Sequence, residues 1–218
     1  MIQAVIFDMD GLMFDTEKLL TRFWREAAKE FGFDMTMEHV LSIRSCAAPI
    51  AAPRLRGIFG EGFDYQRVRQ RRIELMNAFI EENGIEIKKG LAELLQYLKE
   101  NGYKIAVATA TDKTRAYMYM EKAGVEGFFD EFVCNAMVEH GKPAPDIYIR
   151  ACEVLGLPPQ ECIALEDSPN GIRSAYDAGC LPVMVPDLSQ PDEETARLLY
   201  AKIESLDLLI PLLKDDRQ

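Results

Sequence analysis

Hydrophobic and polar positions follow two regimes along the chain. Ile2 to Phe7 form a short apolar run, rich in β-branched residues, that breaks off into Asp8, Met9, Asp10 and Gly11. That is the pattern of a buried strand entering a polar turn. From Thr16 to Phe31 the residues Leu19, Leu20, Phe23, Trp24, Ala27, Ala28 and Phe31 recur at helical spacing, and Gly32 ends the segment. Helical pattern continues through Glu38–Ile43, Ala47–Phe59 and Phe63–Glu82, interrupted by Gly57, Gly60 and Gly62. A wholly helical block is therefore expected after the first strand. Beyond Asn83 and Gly84 the elements alternate. Helices are expected over Ala92–Glu100, Lys113–Ala123, Asp146–Leu155 and Gly171–Ala178, and strands over Lys104–Thr109, Glu131–Cys134, Cys162–Leu165 and Leu181–Val185. Glycines or Asn-Gly pairs close these helices. Such alternation predicts βαβ crossovers, hence an α/β fold: a doubly wound parallel sheet with an inserted helical domain. Sheets of this kind hold ligands at the carboxyl ends of their strands.

Composition narrows the setting. The chain has 218 residues, 48% of them hydrophobic, enough for a substantial core. No apolar run approaches the roughly 18 residues that a membrane span needs. The first residues carry neither a basic lead nor a small-residue cleavage site, so a soluble protein without a signal peptide is expected. The five cysteines are odd in number, scattered, and form no C-x-x-C pair. This argues against disulfides and zinc and for a reducing, cytoplasmic setting, with Cys152 and Cys162 as small buried hydrophobes. A net charge of −11 disfavours nucleic acid as a partner. The one basic cluster, Arg67, Arg69, Arg71 and Arg72, reads as a solvated helix face or as a local anion site. A monomer is expected, because no long exposed apolar stripe stands out.

The chemistry gathers at the predicted strand ends. Asp8, Asp10 and Gly11 follow the first strand; Thr109, Ala110 and Thr111 end the second. Gly141, Lys142 and Pro143 lie in the loop after the third, and Glu166, Asp167 and Ser168 follow the fourth. Taken singly, each has an ordinary explanation: a turn or calcium loop, a rigid surface loop, a helix N-cap, turn hydroxyls. Converging on one sheet edge, they make a coherent set. Clustered carboxylates require a cation, and oxygen ligands without His or Cys point to Mg²⁺. The Thr109 hydroxyl with neighbouring amides can hold phosphoryl oxygens, and Lys142 adds positive charge where phosphoryl transfer needs it. Asp8 is placed as a nucleophile that forms an aspartyl phosphate, and Asp10 as its general acid and base.

These motifs, in this order and over nearly the whole chain, resemble the haloacid dehalogenase-like phosphohydrolase superfamily. Within it, the resemblance is to the subgroup of β-phosphoglucomutases and small sugar-phosphate phosphatases. The first motif is Asp8 to Thr16, the second Ala108 to Thr111, the third Lys142 in Gly-Lys-Pro-Ala-Pro-Asp, and the fourth Glu166 to Gly171. The resemblance implies a core of residues 1–14 and 87–218 and an α-helical cap of residues 15–86. It implies Mg²⁺ on Asp8, the Asp10 carbonyl and Asp167, with Glu166 as a ligand or as the neighbour of one. Gly11, Thr109, Ala110, Thr111 and Lys142 would surround the phosphoryl group, and Arg71, ahead of Arg72, would reach substrate from the cap. A carboxylate at Asp10 sets the chain apart from dehalogenases and phosphonatases. Mutases of the subgroup carry a cap histidine near the position of Leu20 and an arginine in the loop that here reads Ser45-Cys46-Ala47-Ala48, next to Arg44. A phosphatase of small phosphorylated metabolites, sugar phosphates among them, is therefore expected ahead of a β-phosphoglucomutase-type mutase. A receiver-type signalling domain would place its acidic pair before the acceptor strand and would lack the helical insertion.

Overall fold

The first apolar run forms β1 (Ala4–Phe7), buried at every position. It is followed by α1 (Glu17–Glu30), α2 (Met37–Leu41), α3 (Ala48–Phe59) and α4 (Tyr65–Asn83), the helical block that the pattern predicts. The alternating part comprises α5 (Leu91–Glu100), β2 (Lys104–Thr109), α6 (Lys113–Ala123), β3 (Glu131–Cys134), α7 (Asp146–Leu155), β4 (Cys162–Glu166), α8 (Pro169–Asp177) and β5 (Leu181–Met184). The chain ends with α9 (Glu193–Ala196), β6 (Ala201–Lys202) and α10 (Leu209–Asp215). This is a computed structural model that describes residues 1–44, 46, 48–188 and 190–216. The expected elements are all present within a few residues of their predicted ends, whereas α9, β6 and α10 have no counterpart in the sequence pattern. A four-residue helix and a two-residue strand are too short to show a period.

Among the described residues the sheet has six strands, all parallel, in the order β3-β2-β1-β4-β5-β6. The direction of winding reverses between β1 and β4, which opens a crevice at their carboxyl ends. Register brings the motifs together there. Phe7 pairs with Val107 on one side and Leu165 on the other. The next residue, Asp8, therefore falls level with Ala108 and Glu166.

The two faces of the sheet differ in bulk. Val5, Phe7, Ile105, Val107, Ile163 and Leu165 pack with residues of α5, α6 and α10 in one cluster. Ala4, Ile6, Ala106, Ala108 and Ala164 face α7 and α8 in another. The small side chains of this second face let α7 lie close to the strands, which brings the loop before it, with Lys142, in beneath the end of β1. Cys152 and Cys162 are buried in this layer, as expected of small hydrophobes.

The helical block has a core of its own, built on Trp24, Met35, Leu55, Phe63, Tyr65 and Val68. Phe23, Met76 and Ile80 on its other side join the cluster under the sheet. The two segments that connect it to the sheet pair with each other. The Asp15 amide donates to the Glu86 carbonyl at 2.9 Å and the Lys88 amide to the Met13 carbonyl at 2.9 Å. Among the described residues no helix is long and apolar enough to cross a membrane.

Candidate active site

The turn after β1 is held open by one glycine. Gly11 has φ +82°, and a Cβ there would run into Asp167 and Glu17. Its amide donates to the Phe14 carbonyl at 3.0 Å and to Thr16 Oγ1 at 3.2 Å. Both oxygens of Asp10 are fixed by hydroxyls: Oδ1 accepts from Thr16 at 2.8 Å and Oδ2 from Thr111 at 2.6 Å. The Thr111 hydroxyl is thus spent on orienting Asp10, which differs from the expectation that it would grip phosphate. Thr109 Oγ1 accepts from the Thr111 amide at 3.0 Å, which leaves the Thr109 hydroxyl proton to be donated elsewhere.

Beneath the turn lies a layer of buried charge. Lys142 is fully buried, and its Nζ lies 2.5 Å from Asp8 Oδ1, 2.6 Å from Glu166 Oε1 and 2.9 Å from the Ala108 carbonyl, which fills its donor capacity. Tyr148 of α7, whose ring lies under the ammonium, donates its hydroxyl to Glu166 Oε1 at 2.6 Å. Burial pulls the Lys142 ammonium towards deprotonation, but the carboxylates of Asp8 and Glu166 outweigh it and hold the pKa above its usual value. Burial also drives Asp8 up to about 8, opposed by Lys142 and assisted by Glu166 and Asp10. Asp167 is raised well above the carboxylate range by burial, against the pull of Arg44.

Asp8, Glu166 and Asp167 can each present an oxygen within 4.8 Å of the others. Asp167 Oδ1 is buried and has no hydrogen-bond partner among the described residues. Crowded carboxylates with an unsatisfied buried oxygen fit a hard divalent cation of the Mg²⁺ type.

Glycine again makes room for the carboxylate layer at the start of α8. Gly171 lies so near Glu166 that a Cβ would overlap its carboxylate. Gly171→Ala is expected to lower the unfolding free energy by about 1–3 kcal/mol, the usual cost of overpacking. Urea denaturation measures this, and a variant as stable as wild type would mean that Glu166 can move aside freely.

Above the layer opens a cleft of about 730 Å³, walled by the strand ends and roofed by the helical block. Asp8, Asp10, Thr109, Ala110 and Thr111 line it, while Lys142, Glu166 and Asp167 are buried below. Arg71 is not brought into the cleft. It lies on the far side of α4, 2.6 Å from Glu30 and 3.4 Å from Glu74. Helical phase is the reason: the buried stripe of α4 runs Tyr65, Val68, Arg72, Met76, Ile80, so Arg72 turns inward and Arg71 outward. Leu20 lines the cleft. Of the loop Ser45-Cys46-Ala47-Ala48, Ser45 and Ala47 lie outside the described residues.

Two residues that sequence reasoning did not single out complete the site. Arg44, from the helical block, donates to Asp167 Oδ2 and lies 3.4 Å from Glu17 Oε2. Burial raises Glu17 to about 7, with Arg44 working the other way. Glu17 had a readable signal, since it shares a helix face with Leu20, Trp24 and Ala28, which line the buried side of α1.

The sequence profile of the haloacid dehalogenase-like hydrolases matches residues 2–179. A phosphorylated carbohydrates phosphatase from Thermotoga maritima is 31% identical over 183 residues, covering 82% of each chain. A crystal structure of CbbY from Rhodobacter sphaeroides in complex with xylulose-1,5-bisphosphate is 27% identical, with a TM-score of 0.80 over 95% of this chain and 96% of that one. A β-phosphoglucomutase from Clostridium difficile shares the fold, with a TM-score of 0.84 at 24% identity over 99% of this chain and 96% of its own.

Proposed function

The chain belongs to the haloacid dehalogenase-like hydrolase family, and from that membership we propose that it is a Mg²⁺-dependent phosphatase of small phosphorylated sugars working through an aspartyl phosphate on Asp8. The observation that carries this reading is the pairing of a cleft-facing Asp8, held through Oδ1 by Lys142, with an Asp10 that hydroxyls fix on both oxygens. The relatives named for phosphorylated carbohydrates support sugar phosphates as the substrate class.

In the proposed reaction Asp8 Oδ2 attacks the phosphorus, and the bond from phosphorus to the leaving oxygen breaks as the new one forms. Asp10 gives its proton to the departing alcohol, so the sugar leaves neutral. Asp10, now a carboxylate, then takes a proton from water as that water attacks phosphorus. The bond to Asp8 Oδ2 breaks, and inorganic phosphate and free Asp8 result. Thr16 and Thr111 hold Asp10 in place for both transfers. Lys142 offsets charge on Asp8 throughout, and Thr109 and the Ala110 amide receive the equatorial oxygens. Mg²⁺ held by Asp8, Asp10, Glu166 and Asp167 would supply the positive charge that lets phosphate approach this acidic layer. Residues 15–86 act in this reading as a cap over residues 1–14 and 87–218. It moves on the paired segments near Met13–Thr16 and Asn83–Lys89 and excludes water during the first transfer.

Leu20 favours hydrolysis over mutase chemistry, because among the described residues the helical block offers the cleft no histidine. β-Glucose 1-phosphate with a bisphosphate primer is accordingly expected to yield no glucose 6-phosphate. Stripping divalent ions with EDTA should abolish phosphate release from p-nitrophenyl phosphate and from sugar phosphates. Mg²⁺ should restore it and raise the melting temperature, since a ligand bound only by the folded state stabilises that state. Activity that survives EDTA, or a melting temperature indifferent to Mg²⁺, would contradict the metal assignment.

A further inference from the structure

The cleft carries hydrogen-bond donors that the chemistry at Asp8 does not use. Arg72 of α4 and Arg115 of α6 both line it and are only 5% and 6% exposed. The Arg72 guanidinium lies 5.2 Å from the ring centroid of Trp24, and among the described residues its Nε has no acceptor. Arg115 donates through Nη2 to Thr111 at 3.3 Å and lies 3.4 Å from Asp112, while its buried Nη1 has no acceptor among the described residues. Tyr119, one turn further along α6, also lines the cleft, and its buried hydroxyl has no partner among the described residues.

A native interior rarely leaves such groups unsatisfied, and charged ones least of all. The two arginines also repel each other: burial lowers Arg72 to about 9, and the charges of Arg115 and Arg69 act in the same direction. Asp10 is the carboxylate that draws on both Arg72 and Tyr119, yet its oxygens accept from Thr16 and Thr111, and among the described residues neither Arg72 Nε nor the Tyr119 hydroxyl bonds it. What would satisfy these donors is an anion within the cleft. Its position follows from connectivity. Arg115 bonds Thr111, which bonds the acid–base group Asp10, so the donors lie where the leaving part of a substrate sits rather than where phosphoryl transfer occurs.

We propose that Arg72, Arg115 and Tyr119 form a second anion subsite, and that the substrate is a small metabolite bearing a phosphate or carboxylate besides the phosphoryl group passed to Asp8. This assignment of substrate class rests on the phosphatase reading. Two cations and a hydroxyl suit an oxyanion that accepts several charge-assisted hydrogen bonds. The cleft volume of about 730 Å³ admits a phosphorylated sugar with a second charged group.

The test compares kcat/KM, with Mg²⁺ present, for fructose 1,6-bisphosphate, 6-phosphogluconate and fructose 6-phosphate. These carry a second phosphate, a carboxylate and no second anion respectively. Wild type is expected to favour one or both of the substrates with a second anionic group over fructose 6-phosphate by about tenfold or more, and the preferred one identifies the group. Arg72→Met and Arg115→Met should each cut that ratio by about tenfold, the worth of a charge-assisted hydrogen bond. Tyr119→Phe and Arg72→Lys provide milder changes should a methionine variant fold poorly. Calorimetric binding of the same compounds to Asp8→Asn protein, with and without Arg72→Met, reads the subsite without turnover. p-Nitrophenyl phosphate separates the two ideas. If it is hydrolysed but wild type shows no preference in rate or binding and the ratio is indifferent to Arg72 and Arg115, the subsite is overturned and the phosphatase stands. If no phosphate ester is hydrolysed, the phosphatase reading falls, and the substrate class falls with it.

Discussion

Asp8→Asn is expected to lose on the order of 10⁴-fold or more of kcat toward p-nitrophenyl phosphate, because an amide cannot displace an alkoxide from phosphorus and no neighbour can replace it. Glu166 and Asp167 are buried below the cleft floor, and both oxygens of Asp10 are engaged. The fold should survive, since Lys142 keeps Glu166 and the Ala108 carbonyl as partners. In EDTA the variant should even melt higher than wild type at neutral pH. Burial raises Asp8 from 3.8 to about 8 in the folded protein. Between those two values wild type must therefore take up a proton at this site on folding, and stability falls as pH rises through that window. The sign is that of a carboxylate with a raised folded pKa: the penalty is absent below pH 4, grows as pH rises, and levels off above about 8. Paired melting curves across that range check it. A variant that melts lower than wild type throughout would mean that Asp8 is ionised and stabilising without metal.

Lys142→Met is expected to do harm in two ways at once. Activity should fall by about 10³-fold or more, the scale seen when a preorganised electrostatic contact is removed from a reacting group. Stability should fall as well, because Asp8 and Glu166 would remain buried with their shared cation gone. Breaking one side of a buried ion pair costs about 3–5 kcal/mol. In a chain of this length that corresponds to roughly 10 °C in melting temperature. A Lys142→Met variant that melts with wild type would show that the lysine serves the reaction without holding the site together.

Local patterns made most of the fold and the catalytic core readable. β1, a continuous apolar run with an abrupt polar end, needs nothing distant to be recognised, and parallel register then carries Asp8, Thr109 and Asp167 to one edge. Helical phase was also available in principle. It separates the inward Arg72 from the outward Arg71 and marks Glu17 as an acidic residue on a buried face. What no local pattern contains is the meeting of Arg44 with Asp167, which joins the helical block to the end of β4, or the place of Arg72 and Arg115 on the same cleft, since they come from α4 and α6. The use of the Thr111 hydroxyl is likewise settled by its distance to Asp10 and not by its place in the motif.

The central claim is covalent catalysis at Asp8, and acyl phosphates can be trapped chemically. Wild-type protein turning over substrate with Mg²⁺ would be quenched in acid, reduced with borohydride, and mapped by peptide mass spectrometry. Homoserine is expected at position 8, formed only when substrate and Mg²⁺ are both present and absent from Asp8→Asn. Substrate hydrolysis without any reducible acyl phosphate, or with the label at another carboxylate, would contradict it.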